Sequence, residues 1–120
     1  PYRIAELDIR TLKEEVLPFF VSQEDLPGEL STADMVIISG TTLLNDTLES
    51  ILFSCNPAAN IMLIGPTATM LPESFFSRKV TVLAGNRVVI PEKILDVLIE
   101  GGSGYHFYGD SSRKVMIIKE

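Results

Sequence analysis

The stretch Ser39-Gly40-Thr41-Thr42-Leu43-Leu44-Asn45-Asp46-Thr47 gathers hydroxyls and an amide side chain behind one glycine. A glycine turn opening a helix exposes backbone N–H groups, and such groups can receive a carboxylate or phosphate. Asp46 would oppose a strongly anionic ligand there. The plainer reading is that Gly40 makes the turn and Thr42 caps the helix. Two further glycine segments stand in comparable places. Gly65-Pro66-Thr67-Ala68-Thr69 would form a neighbouring wall, glycine permitting close approach and proline stiffening the rim. Gly85-Asn86-Arg87 adds an amide and a cation that could meet an acidic group, although an arginine is more often simply a surface residue. All three segments follow short apolar runs.

Those runs define the elements that must position the glycines. Met35–Ile38, Ile61–Ile64, Val80–Leu83 and Val115–Ile118 are continuously apolar, which suits strands covered on both faces, and they read as parallel strands. The intervals leave room for helical crossovers. From Leu44, apolar residues recur at Leu48, Ile51, Leu52 and Cys55, predicting a helix with Thr42 at its N-cap, Asp46 and Glu49 near its start and Asn56-Pro57 at its end. A second helix is predicted from Pro91 through Ile94, Leu95, Leu98 and Ile99 to Gly101, its apolar pairs facing the sheet. One or two helical turns are expected around Glu73 to Ser77. Tyr2–Leu7 reads as a strand, Thr11–Phe20 as a helix interrupted at Pro18, and Pro27-Gly28 as a turn. The fold class is therefore α/β: a Rossmann-like, open, mostly parallel sheet flanked by helices, forming a single domain over residues 1–120. In such sheets ligands bind outside the carboxyl ends of the strands.

Other chemistries find little support. Cys55 lies on the apolar helix stripe and reads as a small core residue. His106, the one histidine, sits between Tyr105 and Phe107. Neither stands at a soft-metal ligand spacing, and no nucleophile has an evident base. Gly101-Gly102-Ser103-Gly104 follows a helix rather than a strand, so it is a helix exit and not a dinucleotide fingerprint. Glu6 and Asp8 read as a solvated strand end; were a first strand and glycine turn to lie upstream, they could instead resemble the acidic residue that holds a ribose.

Composition limits the partners. The 120 residues are 46% hydrophobic, carry ten basic against sixteen acidic residues, a net charge of -6, and one cysteine. That is ample for a core and leaves no basic cluster to track phosphates, so nucleic acid is not expected. No apolar run approaches the ~20 residues of a membrane span. A reducing cytoplasm is the expected location.

The order of short motifs resembles a known family. Ala33–Leu48 looks like the strand, Gly-Thr-Thr turn and Asn-x-Thr helix start of bacterial and archaeal proteins described by heavy-metal chelation. The succession continues through Ile64-Gly65-Pro66-Thr67, Leu71-Pro72, Val82–Val89, Pro91 and Gly101-Gly102. The resemblance implies the C-terminal, Rossmann-like half of a longer protein, packed against an N-terminal domain similar to that of enolases. It also implies a cleft between them lined by Gly40, Thr41, Thr42, Asn45 and Thr47, with Gly65, Pro66 and Thr67 beside them. The ligand would be a small molecule or metal chelate. Any metal would need ligands from outside this chain, or oxygen ligands such as Asp46. The alternatives are a nucleotide- or cofactor-dependent catalytic module using the same crevice, and a domain whose task is assembly, as a homo-oligomer. Pro1 leads straight into the first strand-like stretch, which fits either an excised methionine or missing upstream chain.

Overall fold

The computed structural model describes residues 1–103, 106, 109 and 111–120. A short parallel pair, β1 (Ile4–Ala5) and β2 (Phe20–Val21), stands apart from the main sheet. Between them lie the 3₁₀ turns Ile9–Thr11 and Glu14–Phe19, the latter containing Pro18. Then follow α1 (Leu26–Thr32), β3 (Met35–Ser39), α2 (Leu48–Ser54), β4 (Asn60–Ile64), α3 (Glu73–Phe76), β5 (Val80–Val88), α4 (Pro91–Ile99) and β6 (Ser112–Ile118). The four long strands form one sheet in the order β3-β4-β5-β6, with β3, β4 and β5 parallel. This is the open, mostly parallel α/β sheet that the apolar runs predict.

The core lies on one face of that sheet. Val36, Ile38, Ile61, Leu63, Val80 and Leu83 meet Leu30, Leu48, Leu52, Cys55 and Phe75 of the helical layer. Ile61 and Leu63 are fully buried. The residues between them point the other way, as strand alternation requires, and remain open: Met35, Ile37, Ile64, Met116 and Ile118 are 45–64% exposed. The molecule is accordingly flat, 45 × 38 × 24 Å. Its radius of gyration, 15.9 Å, exceeds the roughly 13.6 Å expected for this length. Within the described residues, continuous apolar strands thus have one covered face and not the two expected.

Several local readings need correction. β6 runs antiparallel to β5, so the link between them needs no crossover. For that reason α4, correctly placed from Pro91, stays at the end of the β5–β6 pair and buries none of its residues, rather than facing the sheet. Leu95, Leu98 and Ile99 are exposed. Pro27-Gly28 is not a turn but the first part of α1, where proline's missing N–H costs no helical hydrogen bond. Only Ile4 and Ala5 of the Tyr2–Leu7 stretch pair as strand. Glu6 and Asp8 serve local turns: Glu6 Oε1 accepts from the Leu7 amide at 2.7 Å, and Asp8 accepts from the Arg10 amide and guanidinium. The Arg10 side chain holds the Asp8 carboxyl below its ordinary pKa.

The two faces predict different mutational costs. Leu63→Ala should destabilise the chain by about 2–5 kcal/mol through the cavity it leaves, whereas Ile37→Ala on the open face should cost under about 1 kcal/mol. Urea unfolding of both variants measures the difference. Equal costs would mean that the open face is covered.

Candidate functional site

Two 3₁₀ turns, Gly40–Leu43 after β3 and Pro66–Ala68 after β4, stand side by side at the carboxyl ends of the parallel strands. Their approach is closer than any side chain on the first residue would allow. A Cβ on Gly40 would collide with Thr67 Oγ1 and lie 3.2 Å from the Ala68 amide nitrogen. The neighbouring strand repeats the device: a Cβ on Gly85 of β5 would strike Thr69 Oγ1 and sit 2.9 Å from the Gly65 carbonyl. Thr69 Oγ1 accepts instead from the Asn86 amide at 2.9 Å. The Gly65-to-Thr69 segment is therefore wedged between Gly40 and Gly85-Asn86, so the ends of β3 and β4 and the middle of β5 form one continuous rim. Gly65 itself has φ +142°, a backbone conformation that side chains disfavour.

The structure thus brings Gly40, Gly65, Pro66 and Thr67 together, with Thr41, Thr42, Asn45 and Thr47 on the same β3–α2 connection. The connection is not the helix start expected. α2 begins at Leu48, after Asp46 turns the chain at φ 58°. Thr42 caps no helix; its hydroxyl donates to the Ser39 carbonyl at 2.7 Å. Leu44, predicted on the buried stripe, is 75% exposed, while Leu48, Leu52 and Cys55 are buried as predicted. The amides of Leu44 and Asn45 donate to the Thr41 carbonyl, and that of Thr47 to Thr42. These three amides are committed within the turn. Thr47 Oγ1 donates to Asn45 Oδ1 at 2.7 Å, orienting the amide so that its Nδ2 remains a donor. Ser39 and Thr41 hydroxyls share a hydrogen bond at 2.9 Å.

Gly85, taken as following its strand, lies inside it, because β5 runs on to Val88. Two residues of the segments already singled out take roles that the sequence does not disclose. Thr69 tethers the rim to Asn86, and Asn86 Nδ2 is buried without a hydrogen-bond partner. Only the recurrence of threonine at Thr67 and Thr69 after a glycine hints at the first.

The donor set does not fit a soft metal ion. Among the described residues no group of three His, Cys, Asp or Glu side chains could hold one. Asp46 is exposed and alone on its turn. Cys55 is buried at the C-terminal end of α2, a helix length of about 10 Å from the crevice. Burial pushes its thiol pKa up, with Lys79 partly opposing. His106 is exposed, and its Nδ1 accepts from the Ser103 amide at 2.9 Å. Gly104, Tyr105 and Phe107, which complete the glycine run and flank the histidine, lie outside the described residues. No helix among the described residues is long and apolar enough to cross a membrane.

A Rossmann-like α/β sheet with two glycine-dependent turns packed together at its strand ends is the class that fold and site define. A family model described as "Putative heavy-metal chelation" (DUF364) matches residues 1–117, and the chain belongs to that family. It is 39% identical over 90 residues to an uncharacterized protein of Methanocaldococcus jannaschii, covering 75% of this chain and 35% of that one. It resembles the crystal structure of a DUF364 protein of unknown function from Pyrococcus horikoshii, with a TM-score of 0.83 and 30% identity over 98% of this chain and 46% of that chain. A DUF364 protein of unknown function from Desulfitobacterium hafniense shares the fold, with a TM-score of 0.78 and 20% identity over 98% of this chain and 43% of that one. The chain therefore spans less than half the length of these relatives.

Two outcomes test the geometry. Gly40→Ala should destabilise the protein, and Thr67→Ala in the same chain should recover about 1 kcal/mol of the loss, a coupling that a double-mutant cycle reads directly. Strict additivity would separate the two turns. Cys55 should resist iodoacetamide until the protein unfolds. The stability gained from its buried neutral thiol should be complete below the ordinary thiol pKa of about 8.5 and fall as pH rises through the higher folded value.

Proposed function

We propose that this chain is a single Rossmann-like ligand-binding domain, the C-terminal part of a longer cytoplasmic protein, whose strand-end crevice takes a small molecule or a metal chelate. Gly40, Thr41, Thr42, Asn45, Thr47, Gly65, Pro66 and Thr67 form this chain's side of the site. An N-terminal domain, enolase-like by resemblance, supplies the other side. The observation that carries the reading is the rim itself: Gly40 and Gly85 stand where any side chain would collide, with Thr41 and Asn45 exposed beside the first. Leu44, Met70 and Leu71, 57–78% exposed around that rim, suit a cleft that a second surface closes. The length of the relatives leaves more than half of their chains to provide such a surface.

The family description names chelation, while the described residues offer no soft-metal ligand set. Both facts are accommodated if the metal arrives inside an organic chelate or takes its ligands from outside this chain. Asn45 Nδ2 then donates to the chelate's oxygen atoms, while Thr42 Oγ1, its proton given to the Ser39 carbonyl, offers an acceptor. A phosphate cradle of the nucleotide-binding kind has less support, because the amides of Leu44, Asn45 and Thr47 are already used within the turn.

A thermal-shift screen of the protein against Ni²⁺, Co²⁺, Zn²⁺ and Cu²⁺, each alone and as its citrate or histidine complex, tests this. The complexes should stabilise the protein where the free ions do not, and Asn45→Ala should weaken binding about tenfold, the loss of roughly one hydrogen bond. Ligand binding unaffected by both Asn45→Ala and Thr42→Ala would dismiss the crevice. Persistent self-association without any ligand would then favour an assembly role.

A further inference from the structure

β5 and β6 outrun the sheet they belong to. β4 pairs with β5 as far as Ile64 and Ala84, whereas β5 and β6 continue pairing to Val88 and Ser112. Gly85–Val88 and Ser112–Val115 therefore form a two-stranded ribbon standing beyond the other strand ends. On it Arg87 and Arg113 are direct cross-strand partners. Like charges placed opposite each other destabilise a strand pair, and an unliganded ribbon gains nothing from this arrangement. Neither guanidinium has an ion-pair or hydrogen-bond partner among the described residues, and both residues are exposed. An open hollow of about 540 Å³ adjoins them, lined by Arg87, Val88, Val89, Arg113, Lys114 and Val115. Among the described residues no acidic one lines it, although acidic residues outnumber basic ones sixteen to ten in the chain.

Strand alternation fixes the direction of the pair. Arg87 lies two residues beyond Gly85, on the same face, and Arg113 likewise shares a face with Val115, the partner of Gly85. That is the face against which Thr69 packs. We propose that the hollow is an oxyanion site, distinct from the crevice, in which a small organic anion places one carboxylate or phosphate group between the Arg87 and Arg113 guanidiniums. Two planar forks carried side by side on adjacent strands match an oxyanion with several acceptor oxygens. An anion between them turns the repulsion into two charge-assisted contacts. The site does not depend on Asn45 or Thr42, so its failure and that of the crevice are separable.

Citrate and inorganic phosphate are the probes, titrated into the protein in a low-salt buffer with sodium chloride at matched ionic strength as control. The expected result is a saturable thermal shift with one probe or both, absent with chloride, and their relative affinity assigns the group to carboxylate or phosphate. Arg87→Gln and Arg113→Gln should each weaken binding at least about tenfold, with Arg113→Lys intermediate because it keeps charge but loses the fork. Without ligand, Arg113→Gln should melt no lower than the parent protein, since it removes a repulsion. Unchanged affinity in both glutamine variants overturns the proposal. So does a shift that chloride reproduces, or no shift with either probe.

Discussion

Everything in the main sheet depends on the burial of β4. Ile61 and Leu63 are wholly enclosed between the neighbouring strands and the helical layer, and Val36, Ile38, Val80 and Leu83 of β3 and β5 are aligned to them by register. Hydrophobicity alone would not hold that register. A one-residue slip exchanges the two faces of a strand, and here both faces are apolar, so a slipped Met62 and Ile64 would bury almost as well. Position is fixed by polar and steric contacts instead. Where the β4–β5 register shifts between Ile61 and Met62, the Thr81 hydroxyl accepts from the Ile61 amide and donates to its carbonyl, both at 3.0 Å. At the other end of the strands, the fit of Thr67 against Gly40 and of Thr69 against Gly85 admits no displacement. The contacts that build the crevice are thus also the contacts that lock the sheet.

This explains what the sequence reveals and what it withholds. The strands, the stripe of Leu48, Leu52 and Cys55, and the start of α4 at Pro91 are local patterns, written in hydrophobic period and in proline placement. The direction of β6 is not local. Val115–Ile118 has the same composition as the parallel strands, and nothing in the residues after α4 distinguishes a crossover from a return. The misplacement of α4 on the sheet and the invisibility of the Arg87–Arg113 pair both follow from that one ambiguity. The start of α2 fails for a different reason. Thr42 is a good cap by type, but its hydroxyl reaches back to the Ser39 carbonyl, and a 3₁₀ turn with Asp46 in a left-handed conformation intervenes. Gly40 and Gly85 are legible as glycines; the reason for them, a threonine hydroxyl occupying the space of each missing side chain, exists only in three dimensions.

The same geometry bears on the chemistry of chelation. The one thiol is used as a core residue, at the wrong end of α2 and with its pKa raised, and a buried neutral thiol is a poor metal ligand. The crevice offers hydroxyls and amides, which are hard, neutral and weak as ligands. Such groups recognise an organic molecule by hydrogen bonding, and they discriminate because each unmet donor or acceptor in a closed site costs free energy. Discrimination of that kind needs the site to be shut off from water.

The glycine rim and the uncovered sheet face are physically linked. Ser39 and Ile64 are register partners on that open face, and each immediately precedes a crevice glycine. Ser39 also holds Thr41 by its hydroxyl and Thr42 by its carbonyl. A surface packed over Ile37, Ile64 and Met116 would remove apolar area worth about 25 cal/mol per Å², and it would press directly on the residues that orient the crevice hydroxyls. Covering the face and ordering the site are then one event rather than two. A ligand that needs Thr41 and Thr42 in their present orientation would in turn favour the covered state by its own binding free energy.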